Sequence, residues 1–285
     1  MLRIGKSTSG MYLNRETFES LSKAGFNAVE ISYPVEGYDN IDYGNVKALA
    51  DEFGIELWSF HFPFMPFDKI DISNPSAVDG TIELCSEYID KASAIGIKHF
   101  VIHPSGEPIA EEDRPARLAC AKDGLSRLSD YAKTKGAVIC VESLPRTCLG
   151  RDSFDILELL SANDDLRCCF DTNHLLTEDP VDFAKKVGAK IATTHISDCD
   201  FLNERHWLPG SGLIRWHELY NEFVKFGYDG VWMYELGFGS GGGTYFYEQF
   251  IGPDEFIKNA REIFEGKEIT RYGHPAPDLK HWTDR

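Results

Sequence analysis

The sequence predicts one α/β domain closed as a (β/α)8 barrel, and two observations carry that prediction. Strand-like and helix-like stretches alternate eight times along 285 residues, and most of the strand-like stretches stop at Glu, Asp or His. The stretches are Ala28-Val29-Glu30, Leu57-Trp58-Ser59-Phe60-His61, Phe100-Val101-Ile102-His103, Ile139-Cys140-Val141-Glu142, Cys168-Cys169-Phe170-Asp171, Ala192-Thr193-Thr194-His195 and Val231-Trp232-Met233-Tyr234-Glu235. A parallel strand buried on both faces gains nothing in packing from a terminal carboxylate or imidazole. At the carboxyl ends of barrel strands such side chains converge on one mouth, where barrel enzymes place their chemistry.

Taken in chain order, the pattern opens with strand 2–8 and helix 15–25, the helix closed by Gly25. Strand 28–33 and helix 43–53 follow, and Gly54 closes that helix. Strand 56–62 leads to helix 76–95, which starts behind Asn74-Pro75 and ends at Gly96. Next come strand 98–103 and helix 112–135, closed by Gly136, then strand 138–143 and helix 153–162. Strand 167–171 precedes helix 180–187, started by Asp179-Pro180, and strand 191–197 precedes helix 214–226, closed by Gly227. Strand 230–235 and helix 254–265 complete the series. Glycine just past a helix supplies the left-handed residue that ends it, and a cap residue followed by proline starts one. Each strand run is apolar or β-branched and too short for a helix. An open doubly wound sheet has similar periodicity, but no Gly-x-Gly-x-x-Gly follows the first strand, which disfavours its nucleotide-binding form. The expected organisation is therefore a barrel over 1–266 and a C-terminal extension over 267–285, irregular in sequence. That extension is read as a surface wrap or as a contact with a neighbouring subunit in a homo-oligomer.

A formal net charge of −17 disfavours nucleic acid and anionic membranes as partners, because binding to polyphosphate depends on Lys and Arg. The seven cysteines form no C-x-x-C pair, and Cys140, Cys168 and Cys169 sit in apolar runs, as reduced packed thiols do. With no apolar targeting region after Met1 and no stretch of transmembrane length, a soluble cytoplasmic protein is expected. Two long loops, 198–212 and 237–252, follow strands seven and eight on the rim expected to be functional. The second holds Gly239-Ser240-Gly241-Gly242-Gly243, whose backbone amides are candidates to cradle a phosphate.

Glu142, Asp171, His195 and Glu235 end four consecutive strands. Three carboxylates converging with one imidazole repel one another unless a cation lies between them. Oxygen-rich ligands with one nitrogen suit one divalent ion, Mn, Mg, Co or Zn, with open positions for substrate oxygens. Glu30 is a candidate to orient a basic neighbour, bind a substrate hydroxyl or form a structural ion pair, and Lys6 to hold an anionic group or pair with Glu30. Trp58, Phe60, Phe62, Phe64 and Phe67 form an aromatic cluster suited to stacking on the apolar face of a ligand, with core packing the simpler expectation for the first two.

Val141-Glu142, Phe170-Asp171-Thr172-Asn173-His174, His195-Ile196-Ser197-Asp198, Tyr234-Glu235, and His206 followed by Pro209-Gly210-Ser211-Gly212 occur in an order that resembles the xylose-isomerase-like TIM barrels. That group holds sugar isomerases and epimerases together with endonuclease IV type apurinic endonucleases. Resemblance to its ketose 3-epimerases implies a small-molecule sugar substrate and a metal held by Glu142, Asp171, His195 and Glu235. It implies further that Glu142 and Glu235 act as acid and base, and that His174 and Arg205 contact substrate hydroxyls, with His206 beside them. At Ser143 many members carry Asn. In endonuclease-IV-like relatives the positions of His61 and His103 bind additional zinc; here substrate contact is the expected role. The implied activity is a metal-dependent sugar isomerase or epimerase working through proton abstraction beside a carbonyl. The alternatives are a keto-inositol dehydratase or C-glycoside-cleaving lyase on the same site, an apurinic endonuclease, and a non-catalytic sugar-binding module. Glu204, where the endonuclease motif has Asp, and the acidic balance both count against DNA.

Overall fold

In the computed structural model, which describes residues 2–9, 11–32, 35–239 and 241–284, eight parallel strands surround one axis and helices cover their outer side. The strands are β1 (Arg3–Ser7), β2 (Ala28–Ile31), β3 (Glu56–His61), β4 (His99–Ile102), β5 (Val138–Glu142), β6 (Arg167–Asp171), β7 (Ile191–His195) and β8 (Val231–Tyr234). They pair in the order β7-β6-β5-β4-β3-β2-β1-β8. The ring closes between β7 and β8: Ile196 N donates to Met233 O at 2.7 Å, Glu235 N to Ile196 O at 3.2 Å, and the Thr194 hydroxyl to Val231 O at 2.9 Å.

The helices are α1 (Arg15–Ala24), a short α2 (Val35–Tyr38), α3 (Tyr43–Phe53), α4 (Val78–Ser93), α5 (Arg114–Thr134), α6 (Ser153–Leu160), α7 (Pro180–Val187), α8 (Trp216–Phe226) and α9 (Pro253–Phe264). Gly25, Gly54 and Gly227 take left-handed conformations at helix ends, as the glycine spacing predicts. The expected strand 28–33 is observed over Ala28–Ile31, and Tyr33 lies outside the described residues. No described helix is long and apolar enough to cross a membrane.

Alternation along each strand separates two cores. Val29, Ile139, Val141, Phe170 and Trp232 face the helices in the main apolar layer. Ala28, Val231 and Met233, and separately Val101, Cys140 and Cys169, fill the barrel itself. The Trp58 indole crosses the barrel to donate to Thr193 Oγ1 at 3.0 Å, and Phe60 and Phe62 pack among Tyr38, Tyr88 and Phe100. Of the aromatic cluster, only Phe64 and Phe67 reach the mouth.

The tail is irregular over most of its described length and carries one short strand. Residues Gly273–Pro275 (β10) pair antiparallel with Tyr245–Tyr247 (β9) in the loop after β8, and Trp282 N donates to Leu202 O at 2.8 Å. It therefore lies across the loops that follow β7 and β8 of its own chain. The segment 209–212 is organised by the buried Asp198 carboxylate, which accepts from Gly210 N at 2.8 Å, Gly212 N at 2.9 Å and Trp216 Nε1 at 2.9 Å. A Cβ at Gly212 would lie 2.2 Å from the Cys199 carbonyl oxygen. Gly212→Ala is expected to cost about 1–3 kcal/mol through overpacking, a drop of roughly 5 °C in the melting temperature. An unchanged thermal transition would show that this turn tolerates a side chain.

Candidate active site

Because inward-facing positions recur every second residue, the last inward residue of each strand projects from the barrel floor into its mouth. Glu142, Asp171 and His195 are the terminal residues of β5, β6 and β7, and Glu235 stands one residue beyond β8. One ligand atom from each of these four lies within 4.8 Å of the other three. His195 Nδ1 is 2.9 Å from Glu142 Oε1, 3.2 Å from Glu235 Oε2 and 3.8 Å from Asp171 Oδ2. A second group shares Glu142: its Oε2 is 3.0 Å from His61 Nε2 and 3.2 Å from His103 Nε2. Glu142 thus stands between the cluster and two imidazoles, and His61 and His103 contact this carboxylate as well as lining the cavity.

Behind His195, Glu30 is buried and holds Nε2 at 2.9 and 3.1 Å, and Ser59 Oγ donates to its Oε2 at 2.8 Å. A carboxylate on one ring nitrogen fixes the tautomer and aims the other nitrogen at the cluster. Of the roles open to Glu30 in the sequence, the structure therefore places it against a basic neighbour. It stands outside the cavity lining.

The electrostatics suit a cation. Asp171 Oδ2 is buried without a hydrogen-bond partner. Burial, reinforced by Glu235 and Glu142 and opposed by His174, pushes Asp171 well above the usual carboxylate range. Burial works the same way on Glu142, yet His195 and His103 hold it well below that range. Glu235 is lowered too, against burial, chiefly by His195. Three carboxylates so close cannot all ionise stably without a positive charge among them. Carboxylate oxygens with one imidazole nitrogen are a donor set that fits a divalent ion.

A cavity of about 430 Å³ opens over the cluster, bordered by Lys6, His61, Phe64, His103, Arg146 and Leu236 among others. Burial lowers the Lys6 ammonium to about 8, partly offset by Glu235 and Glu30, and its Nζ donates to the Ser7 carbonyl. The Phe64 ring stacks on His103 with centroids 4.4 Å apart. His174 also borders the cavity, with Nδ1 2.9 Å from Ser143 O and Nε2 3.1 Å from Glu204 Oε1. Although burial opposes it, Asp171 and Glu204 raise His174 to about 10, and its two ring nitrogens face Ser143 O and Glu204 Oε1. His206 borders the cavity and donates from Nδ1 to Glu235 O at 3.0 Å.

Arg205 is placed differently from its expected role. Its Nε donates to Asp200 Oδ2 at 2.9 Å and its Nη2 to Lys280 O at 3.1 Å, so it ties the tail down outside the cavity. Glu204 and His206 face the cavity and Arg205 turns away. The arginine of the cavity is Arg146, in the loop after β5, which no periodicity in the sequence marks. Glu107, in the loop after β4, also borders the cavity, and no periodicity in the sequence marks it. The described glycines of the 239–243 run lie outside the cavity lining, which leaves phosphate cradling there unsupported, and Ser240 falls outside the described residues.

Comparison with known proteins gives three findings. A family profile described as xylose isomerase-like TIM barrel matches residues 18–246. An uncharacterized protein of Methanocaldococcus jannaschii is 26% identical over 227 residues, covering 75% of this chain and 76% of that protein. Among solved structures, a D-tagatose 3-epimerase-like protein superposes with a TM-score of 0.72 at 23% identity, covering 82% of this chain and 90% of that one. The 3-keto-D-glucoside 4-epimerase of E. coli gives 0.73 at 17% identity, covering 93% and 100%. A D-psicose 3-epimerase of Clostridium cellulolyticum H10, solved with D-tagatose, gives 0.71 at 17% identity, covering 94% and 93%. At these identities the structural likeness establishes the fold.

Proposed function

The chain belongs to the xylose isomerase-like TIM-barrel family, and from that premise and the geometry of its mouth we propose that it is a divalent-metal-dependent sugar isomerase or epimerase acting on a ketose or related keto-sugar. The observation that carries the reading is the buried cluster of Glu142, Asp171, His195 and Glu235, with Asp171 Oδ2 unpartnered and His195 Nδ1 aimed at its centre. A divalent ion held by these four residues would supply a Lewis acid to polarise a substrate carbonyl.

The side chains do the rest. Of the two proposed acid–base carboxylates Glu235 is the more open, 17% exposed against 1% for Glu142, and it takes the proton from the carbon beside the carbonyl. Glu142 is held by His61 and His103, which leaves it ionised and oriented. Glu235 keeps the proton it removes; Glu142 takes a proton from the His61 ring on its Oε2 and gives it to the opposite face, which inverts the carbon. Return of a proton to the neighbouring carbon moves the carbonyl. Phe64 offers an apolar face for the sugar ring, and Lys6 stands at the cavity edge with a donor-only ammonium for a substrate oxygen.

The test is exchange of a carbon-bound proton with deuterated solvent, followed by NMR on D-fructose, other ketoses, keto-inositols and sugar phosphates with Mn²⁺ present. Exchange that depends on the ion supports the reading. A product lacking water, or a cleaved glycoside, would redirect it to the dehydratase or lyase chemistry that starts with the same abstraction. The His61, His103 and Glu142 group favours one further reading, a site with more than one ion acting on abasic DNA. The charge of −17 weighs against it. Incision of abasic DNA by protein holding three zinc ions, lost in Asp171→Ala, would move the conclusion there.

Glu30 gives a separate expectation. Glu30→Gln should weaken metal binding about 10–100-fold by loosening the hold on His195, as read by competition with a chelator. Unchanged affinity would assign Glu30 to packing alone.

A further inference from the structure

Beyond the cluster at its floor, the cavity has an outer wall built around one side chain, Arg146. Its backbone is left-handed, with φ 54°, a conformation that costs a non-glycine residue energy and persists only where the surroundings enforce it. The enforcing contacts come from separate loops. Arg146 Nε lies 3.1 and 3.0 Å from the two carboxylate oxygens of Glu107, and Nη2 also donates to Glu107. Nη1 donates to Asn203 Oδ1 at 3.1 Å and Glu204 Oε2 at 2.7 Å. The other oxygen of Glu204 accepts from His174 Nε2 at 3.1 Å, and His174 Nδ1 is anchored on Ser143 O. The arginine side chain is only 11% exposed, so these contacts are poorly screened by water.

Glu107, His174 and Glu204 are oxygen and nitrogen donors of the kind that collect a divalent ion. Glu204 and Glu107 nevertheless belong to none of the described groups with metal-ligand spacing, and both are turned onto a guanidinium. We infer that Arg146 is the resident cation of this outer wall, a positioning residue that stands where a metal ion would otherwise be drawn and that fixes Glu204 and His174 against the substrate. A planar guanidinium suits the task because it engages carboxylates from two directions at once with fixed geometry. The consequence for specificity is that the outer wall presents Glu204 as an oriented acceptor for a sugar hydroxyl. It leaves no open coordination position there for a phosphodiester oxygen. The inference rests on the sugar reading only for the identity of the ligand.

The experiment uses the full chain loaded with Mn²⁺, as wild type, Arg146→Ala, Arg146→Lys and the double variant Arg146→Ala with Glu204→Gln. Bound Mn²⁺ per chain is measured after gel filtration. Arg146→Ala is expected to hold one more ion than wild type, and the double variant to lose that extra ion. On D-fructose, or whichever ketose the wild type exchanges, Arg146→Ala is expected to lose about 10²-fold in kcat/KM, mainly through KM, as misplacement of a binding group does. Added guanidinium ion should restore part of the loss, and Arg146→Lys should fall between. An Arg146→Ala protein that keeps the wild-type Mn²⁺ count overturns the inference, whatever its activity. A wild type that exchanges no ketose defeats the sugar reading instead, and the ion count still decides the role of Arg146.

Discussion

Protein stripped of divalent ions is expected to lose proton exchange entirely and to melt at a lower temperature, with both restored by one equivalent of the ion. The cause lies in the cluster itself. Glu142, Asp171 and Glu235 crowd one point, and the Asp171 oxygen that faces it has no hydrogen-bond partner. Without a cation, Asp171 keeps its proton or repels its neighbours, and neither state is a base and metal site ready for substrate. An ion that binds the folded chain alone stabilises it by mass action, about 4 kcal/mol at a thousandfold excess over Kd. For a chain of this size that corresponds to roughly 10 °C. Calorimetry with and without chelator, beside the NMR exchange assay, measures both effects. Full exchange in protein verified to be metal-free would end the metal-dependent proposal.

What the sequence made legible follows from how local each signal is. Apolar runs ending in Glu142, Asp171 and His195 mark their strands because the inward alternation and the chemistry coincide at one residue. Helices α3 and α7 begin and end where the pattern places them, since a glycine past the end or an Asp-Pro at the start carries the boundary within a few residues. The β9 and β10 pair is of another kind. Each strand is three residues long, one includes Pro275, and the pairing spans the whole of α9, so no local period announces it. Arg146 is hidden for the same reason: the contacts that define it come from Glu107, Asn203 and Glu204, brought together only by the barrel. Arg205 shows the reverse error. A charged residue inside a motif draws attention, but Glu204 and His206 border the cavity while Arg205 pairs with Asp200 and the tail. Glu30 reads in sequence as one more mouth residue, and only its distance to His195 shows that it acts from behind.

The two carboxylates proposed to move protons differ in what else they hold, and that difference sets what their amides should do. Glu142 uses both oxygens on protein groups, with His195 on one and His61 and His103 on the other. Glu142→Gln exchanges one acceptor oxygen for a donor in the middle of this set, so it should lose metal and activity together. Glu235 is less encumbered. Its contact within the cluster is Oε2 to His195 Nδ1 at 3.2 Å, and it is the more open of the two to the cavity. Glu235→Gln keeps a carbonyl oxygen able to ligate while removing the base, so it should retain much of the metal affinity and lose about 10²–10⁴-fold in kcat. The deciding measurement pairs bound Mn²⁺ per chain with the solvent-exchange rate at saturating sugar. A Glu235→Gln protein that binds the ion normally and still exchanges at the wild-type rate would remove Glu235 from proton transfer. The search for the base would then pass to the remaining titratable groups of the mouth, with Lys6 first because it too borders the cavity with its pKa brought down to about 8 by burial.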